Sequence, residues 1–192
     1  YNSGDWTITT TEAGTGSATE AVTSSAGGAL LLTNAAGDND LDFLQLKGEG
    51  FKLSTSKRAY FSARFKVSDA TQSDFVIGLG ITDTTPLDTT DGVFFLKADG
   101  GTGLDFLVEK DNSATTTSSV ATIADDTFIV ATWFIDPDTS KVYYSINNAE
   151  PVAVANTNLV TDEELTVSFG IQNGEAAAKT MTIDYVVAAV ER

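Results

Sequence analysis

Between Ala59 and Val67 the chain alternates strictly: Ala59, Phe61, Ala63, Phe65 and Val67 are apolar, and Tyr60, Ser62, Arg64 and Lys66 stand between them. Successive side chains of an extended strand point to opposite faces, so a period of two marks a half-buried β-strand. A second run follows at Phe75–Ile81, where Phe75, Ile77, Leu79 and Ile81 alternate with Val76, Gly78 and Gly80. The polar connector Ser68–Asp74 carries no apolar pattern. The pair reads as two neighbouring antiparallel strands in the middle of a sheet. Glycines strip the outer face of the second strand, which leaves room for a ligand, a bulge or another backbone. Tyr60, Arg64, Lys66, Gly78 and Gly80 are therefore the candidate interaction surface. A closely approaching neighbour strand is the competing explanation of the bare glycines.

The rest of the chain repeats the strand texture. Ala29–Thr33, Leu41–Leu46, Gly92–Lys97, Leu104–Lys110, Thr127–Asp136, Lys141–Ile146, Leu165–Gln172 and Thr180–Val190 are short apolar or alternating runs, with turn residues such as Asp99–Gly103 between them. Asp111–Ser119 reads as a loop or weak strand. No stretch holds a helical period. About a dozen evenly spaced strands predict an all-β fold, a two-sheet antiparallel jelly-roll sandwich larger than an immunoglobulin domain. Residues 27–192 are expected to form a single domain. Residues 1–26, thin in large apolar groups and rich in Thr, Ser, Ala and Gly, read as an extended N-terminal arm or an edge strand.

Composition excludes several chemistries. The chain has no histidine and no cysteine, which removes Ser-His-Asp triads, histidine-zinc sites and thiolate catalysis. A net charge of −16 repels nucleic acid and anionic membrane alike. No apolar run approaches the ~20 residues of a membrane span. A retaining glucanase needs two carboxylates about 5–5.5 Å apart. Asp105 and Glu109, the nearest such pair, stand four residues apart on one strand and are read as a solvated face. Asp38, Asn39 and Asp40, and Asp83, Asp88 and Asp91, are oxygen-rich clusters that would suit calcium, though neither matches a twelve-residue calcium loop and turn chemistry explains them equally. Trp6, Tyr60, Trp133, Tyr143, Tyr144 and Tyr185 are candidates for a sugar platform, with Trp133 better placed in the core. The expectation is a non-enzymatic chain without a required cofactor.

Four segments, GGALLLTNAAGDND–LDFLQL, KRAYFSARFKVSDA–SDFVIGLGITD, DGVFFLKADG and TIDYVVAAVER, resemble a family of tailed-phage virion proteins. The likeness runs from Gly27 onward. Its motifs are structural: an aromatic-Ser-Ala-Arg-Phe-Lys strand, a Gly-Leu-Gly strand and an Asp-Gly-hydrophobic strand. The resemblance implies a concanavalin-like or laminin-G-like sandwich, a role in capsid decoration or as a head fibre, and a place on the phage head exterior. It implies the major capsid protein or other virion proteins as partners, and homo-oligomeric assembly. It supplies no catalytic residues. The alternative on the same fold is a carbohydrate-binding module or lectin-like domain that grips a host-surface glycan, since fold does not fix function.

Overall fold

The computed structural model describes residues 1–24 and 27–192; Ser25 and Ala26, at the end of the expected N-terminal segment, lie outside the described residues. The described residues form fifteen strands and two short 3-10 turns. In chain order the strands are β1 Trp6–Thr11, β2 Thr19–Val22, β3 Leu30–Thr33, β4 Leu41–Leu46, β5 Phe51–Lys52, β6 Ala59–Val67, β7 Ser73–Gly80 and β8 Gly92–Lys97. They continue as β9 Gly103–Lys110, β10 Ser113–Thr122, β11 Ile129–Asp136, β12 Lys141–Ile146, β13 Val152–Val154, β14 Glu164–Asn173 and β15 Thr180–Val190. They build two antiparallel sheets. The eight-stranded sheet runs β1-β4-β14-β7-β8-β9-β10, with β5 also on β14; the seven-stranded sheet runs β13-β12-β11-β6-β15-β3-β2. The sandwich expected from the strand pattern is the architecture observed.

The alternating residues meet between the sheets. Phe61, Ala63 and Phe65 of β6 face Phe75, Ile77 and Leu79 of β7 in one continuous core. Phe61 stacks on Trp133 with ring centroids 5.9 Å apart, and Phe65 meets Phe75 edge-on at 5.3 Å. Trp133 is a core residue with no exposed surface.

One expectation is corrected here. β6 and β7 are not sheet neighbours but members of opposite sheets. Alternation reveals which residues of a strand are buried; it does not reveal which strand lies alongside. The actual neighbours are distant in sequence: β11 and β15 flank β6, and β14 and β8 flank β7.

A second apolar cluster, Leu41, Phe43, Val76 and Phe94, lies on the outer face of the eight-stranded sheet. The 81–91 segment crosses above it, with Pro86 buried and Leu87 against the cluster. Gln45 ties this segment down. Its Nε2 donates to the Ile81 carbonyl at 2.8 Å and to Ser168 Oγ at 3.0 Å, and its Oε1 accepts from the Asp83 amide at 3.0 Å.

The N-terminal segment supplies an edge strand to each sheet, β1 to the eight-stranded and β2 to the seven-stranded. The 113–122 stretch, most of which reads from sequence as a loop or weak strand, is β10, an edge strand paired with β9. In β15 the pairing with β6 shifts between Ile183 and Tyr185. This bulge reverses which side chains face outward, so Tyr185, Val187 and Ala189 stand on the solvent side.

Candidate functional site

The outer face of the seven-stranded sheet is organised in cross-strand rows. Ala189, Tyr60, Phe134, Tyr143 and Ala153 pair in succession across β15, β6, β11, β12 and β13. The next row holds Val187, Ser62, Thr132 and Ser145, and the one beyond it Tyr185, Arg64 and Val130. Directly opposed side chains on a sheet face are in contact range, so each row is a continuous strip. Phe134 and Tyr143 stack with centroids 5.0 Å apart and planes 8° apart. The Tyr143 hydroxyl donates to Thr139 Oγ1 at 3.1 Å. Tyr60 is 42% exposed and Val187 48%, high values for large apolar side chains.

At one end of the aromatic row is a cleft of about 450 Å³ between Arg58, Tyr60, Phe134, Asp136, Ala189 and Glu191. Its floor is aromatic and aliphatic, and its rim is charged. Arg58 pairs with Asp138 at 3.1 Å, its amide donates to Glu191 Oε2 at 3.0 Å, and the Glu191 amide returns a bond to the Arg58 carbonyl at 2.8 Å. Asp136 accepts from the Asp138 amide at 3.1 Å and from Thr139 Oγ1 at 3.0 Å. Three of the five expected surface residues share this face. The Arg64 guanidinium lies 3.9 Å from the Phe128 ring centroid and pairs with Asp184 at 2.7 Å, while Lys66 pairs with Asp126 at 2.9 Å.

Gly78 and Gly80 do not join them. They sit on β7, on the far side of the sandwich, because β7 belongs to the other sheet. A Cβ on Gly78 would come within 2.5 Å of the Phe94 backbone, and one on Gly80 within 3.3 Å of Thr89 Oγ1. The bare positions make room for a neighbouring strand and the overlying segment of this same chain.

Asp105 and Glu109 share one strand, β9, and the solvated face expected for them does not hold at Glu109. Asp105 accepts from the Ser119 amide at 2.7 Å. Glu109 is buried beside Asp91 and Asp88, and burial, followed by those two charges, pushes its carboxyl upward. Of the oxygen clusters, Asp40 accepts from the Ala13 and Gly37 amides, Asp83 from the Thr85 amide and hydroxyl, and Asp91 from the Asp111 amide and Thr90 hydroxyl. These are turn and loop contacts. Among the described residues no three acidic side chains stand close enough to share a metal ion. Sequence reasoning saw Asp42 only as a carboxylate alternating with Asp40 near a strand start, with no third beside them, and not as a buried acid. Asp42 points between the sheets with no exposed surface, and alternation in Leu41–Leu46 gave no sign of it because leucines occupy both faces.

Neither a family model nor a curated protein sequence matches the chain. Solved structures do match. The carbohydrate recognition domain of Emp46p, in its potassium-bound form, aligns with a TM-score of 0.65 over 96% of this chain and 88% of its own, at 12% identity. Peanut lectin aligns with a TM-score of 0.60 over 98% and 93% at 11% identity, and alginate lyase AlyC3 with 0.60 over 86% and 76% at 7% identity. The chain therefore has a lectin-like, concanavalin-type sandwich fold. None of these neighbours is a virion protein, so the fold implied by the phage resemblance holds while its capsid role finds no support among them.

Proposed function

We propose that this chain is a carbohydrate-binding module and that the Tyr60–Phe134 cleft holds the sugar. The observation that carries the reading is the exposure of Tyr60 beside Phe134 in a 450 Å³ cleft rimmed by Arg58, Asp136 and Glu191. A pyranose ring offers an apolar C–H face and a girdle of hydroxyls. An aromatic floor suits the first, and charged donors and acceptors at the rim suit the second. Several fold neighbours are carbohydrate recognition domains or lectins, which supports the reading without fixing it. The net charge of −16 favours a neutral glycan over a polyanionic one. An alginate lyase shares the fold as well, at 7% identity, and likeness of fold does not carry its activity over. The reading rests on no capsid partner and no particular location.

A glycan array with the purified chain, followed by titration calorimetry, tests the proposal. Binding of a neutral glycan that weakens roughly tenfold or more in Tyr60→Ala and Phe134→Ala is expected, the loss typical of a central aromatic anchor. No glycan bound, or affinity unchanged in both variants, overturns it.

A further inference from the structure

Away from that cleft, a carboxylate is buried without a hydrogen-bond partner. Asp42 has no exposed surface, and neither of its carboxylate oxygens meets a hydrogen-bond donor. It lies on β4, opposite Thr10 of β1, and faces Glu20 of β2 across the gap between the two sheets. Two ionised carboxylates accept hydrogen bonds and donate none, so they can be joined only through a shared proton. The titratable groups acting on Asp42 are Glu20, Glu12 beyond β1 and, across Glu20, the Tyr1 phenol, whose hydroxyl lies 3.4 Å from Glu20 Oε2. All are acids.

The position of the pair matters. β1 and β2 are the edges of their sheets on one side of the sandwich, and a cleft of about 440 Å³ opens between them, lined by Trp6, Val22, Leu30, Leu46, Phe169 and Ile183. β2 is held to the sheet by four residue pairs with β3. We propose that Asp42 and Glu20 share one proton and act as a pH-dependent latch that closes β2 over this open edge. Burial, followed by the neighbouring Glu20 carboxylate, pushes the Asp42 carboxyl up to about 7. An acid raised in the folded state holds its proton more tightly there than in the unfolded chain. Its stabilising effect is full below the ordinary carboxylate range and is lost as pH rises through about 7. Above that, a buried charge on Asp42 stands against the partly buried Glu20 and the exposed Glu12, and the less anchored of the two strands, β2, gives way.

The chain contains two tryptophans. Trp133 is fully buried, whereas Trp6 lines the latched cleft, so acrylamide quenching of fluorescence reports the edge alone. In sodium buffer with a chelator, the quenching constant should rise roughly twofold between about pH 6 and pH 8, as the ionised fraction of Asp42 goes from about a tenth to about nine tenths. Asp42→Asn supplies an amide donor to Glu20 and should hold quenching low at both values. Should that variant fail to fold, Glu20→Gln on the edge strand carries the same expectation. A wild-type response that is flat with pH, or a rise that survives in the variants, overturns the proposal. So does closure at about pH 8 on adding potassium or calcium ions, which would make the pair a cation site rather than a proton latch.

Discussion

Phe94 occupies the space that a side chain on Gly78 would need. The two are cross-strand partners, and a Cβ on Gly78 would stand 2.5 Å from both the Cα and the Cβ of Phe94. Phe43 covers its own partner Gly170 in the same manner, two strands away on the same sheet face. Each glycine lets an aromatic ring lie down across the strand, and the two rings join in the outer apolar cluster. Gly78→Ala should therefore cost about 1–3 kcal/mol, the usual penalty of overpacking. Gly50→Ala, where a Cβ meets nothing within 4 Å, should stay within about 0.5 kcal/mol of the parent. Urea midpoints of the two variants decide the matter.

Gln45→Leu should loosen the segment above that cluster. The glutamine is buried, and its loss orphans the Ile81 carbonyl and the Asp83 amide. A cost of about 1–3 kcal/mol follows from leaving buried polar groups unpaired. Hydrogen exchange should quicken at the Asp83 amide while the amides of β7 stay protected.

Lys179 joins Asp69 at 2.8 Å and Glu175 at 2.6 Å, with its own side chain 6% exposed. The hydrogen bond from Lys179, then the Gln72 amide, holds the Asp69 carboxyl down at about 2. A lowered acid stabilises the fold above its ordinary range, and that contribution is lost as pH falls through the folded value. Lys179→Met should lower stability by about 1–2 kcal/mol at neutral pH, less than for a fully buried pair because both acids reach solvent. The gap between parent and variant should close as pH drops towards about 2, which melting curves at several pH values would show.

Deleting Asp184 should leave the faces of the strand as they are. Asp184 is the extra residue of the β15 bulge, and Ile183 and Tyr185 on either side of it already pair the consecutive β6 residues Phe65 and Arg64. Without it Tyr185, Val187 and Ala189 stay outward and Val186, Ala188 and Val190 inward in plain alternation. The deletion should still unfold cooperatively in urea, within about 1–3 kcal/mol of the parent. Asp184→Asn, which breaks only the partly exposed pair with Arg64, should stay within about 1 kcal/mol of the parent.

The sequence made some of this plain and hid the rest for physical reasons. The inward faces of β6 and β7 were legible because Phe61, Phe65, Phe75 and Leu79 alternate with small or polar residues. Their placement in opposite sheets was not, because pairing is decided by partners such as β14 and β15 about a hundred residues away. Tyr60, Arg64 and Lys66 were correctly seen on one face for the same local reason. Phe134 and Glu191, which complete the cleft with Tyr60, reach it only through long-range register. β4 was misleading in a different way. Five of its six residues are buried, so a covered strand shows no polar face to read, and the acid at its second position passes for a surface residue.

The last strand of the chain lies near the middle of its sheet, between β6 and β3. Until its eleven residues arrive, the seven-stranded sheet is two separate fragments with facing raw edges. During synthesis this layer therefore stays unzipped while the ribosome still shelters β15, and the sandwich shuts only once that strand has come free to fill the gap.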